Sequence, residues 1–163
     1  MKNLNSEISN IKLKPIFISD DGLHLHVRVK VNEKSVWMML DTGATNTVFD
    51  INKIESLLKK KTRKVNGRLS AGLGGSEIQS SKAKVEALQI GNHIIKNQSF
   101  TCLDLTHLNM SYQGIGVKQV IGVIGSDLLY AFEANVDYKK MRLKLYEANA
   151  EMRKIWKSIK YIK

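Results

Sequence analysis

Val36-Trp37-Met38-Met39-Leu40-Asp41-Thr42-Gly43-Ala44-Thr45-Asn46-Thr47 decides how this chain is read, because five apolar residues run straight into a carboxylate inside a hydroxyl-rich turn. A short apolar run that ends in turn residues is a strand signal. The strand delivers Asp41 to the rim of a core, where burial and neighbouring charges tune an ionisable group. The stretch points to acid–base chemistry centred on Asp41.

Upstream, Ile11 to Ile18 predicts a first strand. Leu23-His24-Leu25-His26-Val27-Arg28-Val29-Lys30-Val31 alternates with period two, which predicts an aliphatic face and a solvent face carrying His24, His26, Arg28 and Lys30. Asn32-Glu33-Lys34 then turns the chain into the strand Ser35 to Leu40, giving a hairpin whose end presents the Asp41 turn. Downstream, Asp50 is placed to cap a helix reaching Leu58, since Ile51, Ile54, Leu57 and Leu58 recur at helical spacing.

Arg68 to Ile78 sets Gly72, Gly74 and Gly75 between two strand-like arms, the pattern of a mobile hairpin tip. No helix opens after Gly72-Leu73-Gly74, so a dinucleotide-binding loop is not expected. Strands from Ser81 to Ile90 and from Ile94 to Leu103 flank a turn at Gly91-Asn92. A short helix is predicted over Thr106 to Tyr112. In Val123-Ile124-Gly125-Ser126-Asp127-Leu128-Leu129 a strand breaks at glycine into a short helix, and Met141 to Tyr146 reads as a last strand.

At 163 residues and 43% hydrophobic, the chain is expected to build a single core. Met1 to Lys14 lacks the apolar block of a secretory signal and no stretch reaches bilayer length, so a soluble, cytoplasmic protein is expected. One cysteine, Cys102, excludes an intrachain disulfide and reads as a buried small hydrophobe. The net charge of +11 raises the question of nucleic acid. Its basic residues gather in Lys59 to Lys64 and in the last dozen positions, without a nucleic-acid-binding motif between them, so a solvated basic surface is the reading and a dedicated nucleic-acid site is not expected.

His24, His26, His93 and His107 offer no ligand set at metal-binding spacing, so no metal is expected and solvent-facing histidines are the reading. At the carboxyl end, Met152, Ile155, Trp156, Ile159 and Ile162 fall on one helical stripe among Arg153, Lys154, Lys157, Lys160 and Lys163. This predicts a basic amphipathic helix over 147–163, which packs on its own domain or dimer mate or meets a membrane or acidic partner.

Three features in this order resemble the retropepsin-like aspartic peptidases of bacterial type: Asp41-Thr42-Gly43-Ala44 after an apolar strand, Ala71-Gly72-Leu73-Gly74-Gly75 as a flap, and Val123-Ile124-Gly125 before Asp127-Leu128-Leu129. The resemblance covers residues 11–146, between an amino-terminal segment, 1–10, and the carboxyl-terminal segment, 147–163. It implies an all-β half-barrel with short helices, and an aspartic endopeptidase without cofactor that acts on peptides as a homodimer. Each copy would bring one Asp41, and two nearby carboxylates sharing a proton supply an acid and a base together.

The resemblance further implies that Thr42 bonds across the dimer axis and Gly43 offers its carbonyl to substrate. Ala44, Thr45, the flap residues Ala71, Gly72, Leu73, Gly74 and Gly75, and Ile124 and Gly125 would border the peptide. Ala44 stands where pepsin-like halves often carry a serine supporting the carboxylate, so a mildly acidic optimum above pepsin's is expected. Thr45 stands where retroviral enzymes usually carry a substrate-binding aspartate. The alternatives are a noncatalytic dimeric peptide-binding or scaffold module of the same fold and, more remotely, a nucleic-acid-associated protein.

Overall fold

The computed structural model describes residues 7–20, 22–58, 63–64, 80–155 and 159–161. In chain order its elements are β1 (Glu7–Phe17), β2 (Leu23–Val31), β3 (Lys34–Leu40), β4 (Val48–Asp50), the helical turn α1 (Ile51–Ile54) extended by a 3₁₀ turn (Glu55–Leu57), β5 (Arg63–Lys64), β6 (Ser81–Ile90), β7 (His93–Leu103), α2 (Thr106–Gly114), β8 (Gly122–Ile124), α3 (Ser126–Ala131), β9 (Asn135–Asp137), β10 (Arg142–Tyr146), α4 (Ala150–Ile155) and β11 (Ile159–Tyr161). The expected all-β class with short helices is what the chain forms.

Its hairpin signals act locally. Asn32 and Glu33 adopt φ of 46° and 70°, the left-handed pair that matches strand twist in a two-residue turn, and β2 pairs with β3 from Leu25↔Leu40 to Val31↔Lys34. Asn32 tolerates that backbone and is anchored by it, its Nδ2 donating to the Leu57 carbonyl at 2.7 Å and its Oδ1 accepting from the Ala87 amide at 2.9 Å. Asp50 caps α1 as expected, its carboxylate accepting from the Asn52 amide.

Six strands close into a barrel in the order β2-β3-β8-β4-β7-β6, sealed where Lys30↔Gln89 and Val31↔Leu88 join β6 back to β2. Leu13, Val27, Met38, Phe49, Ile54 and Val85 fill it with no exposed surface. Burial of side chains of this size contributes about 1.5–3 kcal/mol each relative to exposure. Outside the barrel, β1 bridges β2 to β10, and β10 pairs with β9. α2 lays Tyr112 on the outer face of the β2–β3 hairpin, making a smaller core with Ile16 and Val120.

That second core corrects the expected solvent face of β2. Arg28 and Lys30 are exposed, but His26 is 1% exposed, its ring edge-on to Tyr112 at 4.7 Å between centroids. His93 is also buried, with Nδ1 2.9 Å from Ser9 Oγ and Nε2 2.7 Å from the Tyr146 carbonyl oxygen. Period-two alternation says which residues share a face; it does not say what a distant helix lays upon that face.

The carboxyl end departs from expectation too. In place of one helix over 147–163, α4 spans Ala150–Ile155 and Ile159–Tyr161 forms β11, paired antiparallel with Ile95, Ile94 and His93 of β7. The reason lies in β7: β4 pairs it only at Thr101 to Leu103, so the edge near His93 is open to another strand. Cys102 is buried as expected, and burial pushes its thiol up to about 11. Among the described residues, no helix is long and apolar enough to cross a membrane.

Candidate active site

β3 and β8 run parallel and end together at Leu40↔Ile124, while β4 returns antiparallel along the other side of β8. The turn from Asp41 to Thr47 therefore arches over the end of β8, and the chain leaving β8 passes beneath it. This crossing explains Gly125. A Cβ there would lie 2.5 Å from the Asn46 carbonyl carbon and 2.8 Å from the Ala44 oxygen, distances that only a missing side chain avoids.

Hydrogen bonds lock the arch to the strand and helix below. The Asp41 amide donates to the Ile124 carbonyl at 3.0 Å, and the Ser126 amide donates to Ala44 at 2.8 Å. Ser126 Oγ donates to the Thr42 carbonyl at 2.7 Å. Asp127 Oδ1 accepts from both the amide and the hydroxyl of Thr47, at 2.8 and 2.7 Å, and from the Leu128 amide at 2.8 Å. Thr47 Oγ1 in turn accepts from the Gly125 amide at 3.1 Å. Charge-assisted bonds of this kind, made at a part-buried carboxylate, are the strong ones.

Held this way, Asp41 is half-buried and its Oδ1 accepts from the Gly43 amide at 2.8 Å, which orients the carboxylate. It opens onto a groove of about 380 Å³ lined by Leu23, His24, Leu25, Met39, Leu40, Asp41, Thr42, Val136 and Tyr138. Among the described residues, Asp41 is the only carboxylate in that lining. His24 is steadied from behind, its Nδ1 2.8 Å from Tyr112 Oη, which also lies 3.1 Å from Met39 Sδ. Burial pushes the Tyr112 phenol up to about 12, so it stays protonated at any working pH.

Of the residues singled out from sequence, Asp41 and Thr42 line the groove, and Gly43, Ala44 and Thr45 complete the turn beside it. Ile124 and Gly125 are buried beneath the arch and act on Asp41 from below. Ala71, Gly72, Leu73, Gly74 and Gly75 lie outside the described residues. Sequence reasoning missed the stapling roles of Thr47, Ser126 and Asp127, although Asp127 directly after a strand–glycine break was a visible signal. It also missed Leu23, His24, Val136 and Tyr138 as walls, since nothing local marks them. Among the described residues no group of three or more His, Cys, Asp or Glu side chains could hold a metal.

Residues 27–128 match the family model described as aspartyl protease. Among solved structures the chain is similar to a retropepsin-like aspartic protease from Rickettsia conorii, with 22% identity and a TM-score of 0.52 over 86% of this chain and 95% of that one. It is similar also to the EIAV protease in complex with an inhibitor, with 17% identity and a TM-score of 0.51 over 73% of this chain and 97% of the other. At such identities the likeness speaks for the fold. No curated protein matches the chain in sequence.

Proposed function

The chain belongs to the aspartyl protease family, and on that premise we propose that it is an aspartic endopeptidase whose catalytic centre forms when two copies bring their Asp41 side chains together. The observation that carries this reading is a groove whose described residues include a single carboxylate, oriented by the Gly43 amide. Peptide hydrolysis needs a base to take a proton from water and an acid to give one to the leaving nitrogen. One carboxylate cannot be both at once. Two across a twofold axis can, because close like charges share one proton.

In the proposed cycle the ionised Asp41 removes a proton from a water bound between the pair, and the water oxygen bonds to the peptide carbon. The protonated Asp41 donates to the carbonyl oxygen as the tetrahedral adduct forms. Collapse of that adduct breaks the carbon–nitrogen bond as one Asp41 carboxyl passes its proton to the amine and the other Asp41 carboxylate takes a proton from an adduct hydroxyl, returning the pair to one shared proton. Thr42 is exposed, with its carbonyl already held by Ser126, which leaves its hydroxyl to bond the second copy. Gly43 offers its carbonyl to the substrate backbone. Residues 71–75 are proposed as the flap closing over an extended peptide, within a protease domain spanning residues 11–146.

Asp41→Asn tests the reading. It should keep the circular dichroism spectrum and the sedimentation behaviour of the wild type, because the amide oxygen can still accept from Gly43, and it should abolish cleavage of peptide libraries at mildly acidic pH. If the wild type cleaves nothing, itself included, from acidic to neutral pH, a noncatalytic dimeric peptide-binding module replaces the enzyme.

A further inference from the structure

On the same outer face of the β2–β3 hairpin, beyond the small core under α2, lies a second groove of about 480 Å³. Arg28, Lys53 and Lys118 line it, together with Ser35, Ser56, Asn52 and Gln119, over an apolar floor that includes Val36, Trp37 and Leu57; no Asp or Glu is among the described residues that line it. Two carboxylates do reach Asn52 from outside the groove. Asp50 is buried as the cap of α1, and Asp104 accepts from Asn52 Nδ2 at 3.0 Å and from the Thr106 amide at 2.9 Å. Neither lines the groove.

Two of the three cations are set in place by neutral acceptors. Arg28 Nε donates to Ser35 Oγ at 2.7 Å, and Lys53 Nζ donates to Gln119 Oε1. These bonds orient each head group while leaving the guanidinium's terminal nitrogens and two ammonium protons for another acceptor. Three like charges around one concavity, with no acid among its described lining residues, is an arrangement that repels itself until an anion arrives.

We infer that this groove binds an acidic peptide segment, its carboxylates meeting Arg28, Lys53 and Lys118 and its methylenes resting on the apolar floor. Trp37 decides against single-stranded nucleic acid as the occupant. Arg28 and Lys14 lie over its ring at 5.5 and 5.7 Å from the centroid, so the chain's own cations use the indole surface on which a base would stack. The site stands apart from Asp41, four residues further along the chain from Trp37, and does not depend on catalysis.

The test is fluorescence anisotropy of a labelled oligoglutamate peptide titrated with the Asp41→Asn protein, so that binding is read without cleavage. Binding should weaken with added salt. It should fall about tenfold or more, about 1.4 kcal/mol, when Arg28→Gln, Lys53→Gln and Lys118→Gln are combined. The control removes as much charge elsewhere, by Lys12→Gln, Lys82→Gln and Lys84→Gln at exposed positions outside the groove. Equal loss in the control would reduce the effect to general basicity and overturn the site. A labelled oligothymidylate that binds more tightly than oligoglutamate, and loses more in the groove variant, would overturn the peptide assignment in favour of nucleic acid. No binding of either probe would also overturn it.

Discussion

Gly125 shows how one absent side chain determines where a carboxylate stands. Its Cα passes under Asn46 and Ala44 so closely that any Cβ displaces the arch bearing Asp41. Gly125→Ala should therefore cost about 1–3 kcal/mol in chemical denaturation, the range for overpacking a buried site. Cleavage should fall further than stability alone explains, because the arch itself must shift. Gly114→Ala is the matched control: a Cβ there meets nothing within 4 Å, and its midpoint should move by no more than about 0.5 kcal/mol. A glycine before a helix was legible in the sequence as a place of close approach. That its neighbour would be the Asp41 turn was not, since Asn46 and Gly125 are joined only by the folded chain.

At the scale of elements, the docking of α2 on the β2–β3 hairpin carries a pH dependence. His26 is buried between them, Nε2 has no hydrogen-bond partner among the described residues, and its pKa is lowered to about 4, first by loss of water and then by the nearby charges of His24 and Lys14. The unfolded chain takes up a proton near 6.5, whereas the folded chain resists until about 4. Between those values the unfolded state holds more protons, so stability is complete above the upper value and falls as pH drops through the window, by up to ~3 kcal/mol. Denaturation midpoints across the window should show that slope, and His26→Phe, which keeps the ring edge against Tyr112, should flatten it. A residual slope in the variant belongs to His93, whose pKa burial also lowers. A slope unchanged by His26→Phe would mean that another group carries the linkage. The alternation of β2 was plain from its sequence. The covering of its histidine face came from Tyr112, more than eighty residues away, and the pairing of β11 with β7 came likewise from an edge that β4 leaves open.

For the whole molecule the decisive question is stoichiometry. If two Asp41 groups make one centre, dilution should lower specific activity as dimers dissociate. Mixing wild type with about a ninefold excess of Asp41→Asn and letting subunits exchange should cut activity per wild-type chain about tenfold, because a random partner then lacks the carboxylate. Activity per wild-type chain that ignores the excess would mean that Asp41 works alone. The sequence by itself determined the strand classes, the Asn32–Glu33 turn, the Asp50 cap and the turn that sets Asp41 at the end of an apolar strand, because each rests on periodicity or backbone preference within a few residues. Only the tertiary structure decided the closure of β6 onto β2, the burial of His26 and His93, the walls that Val136 and Tyr138 lend to the groove, and the basic groove at the far end of the hairpin. Those depend on which surfaces meet when distant segments exclude water together, and no local pattern carries that choice.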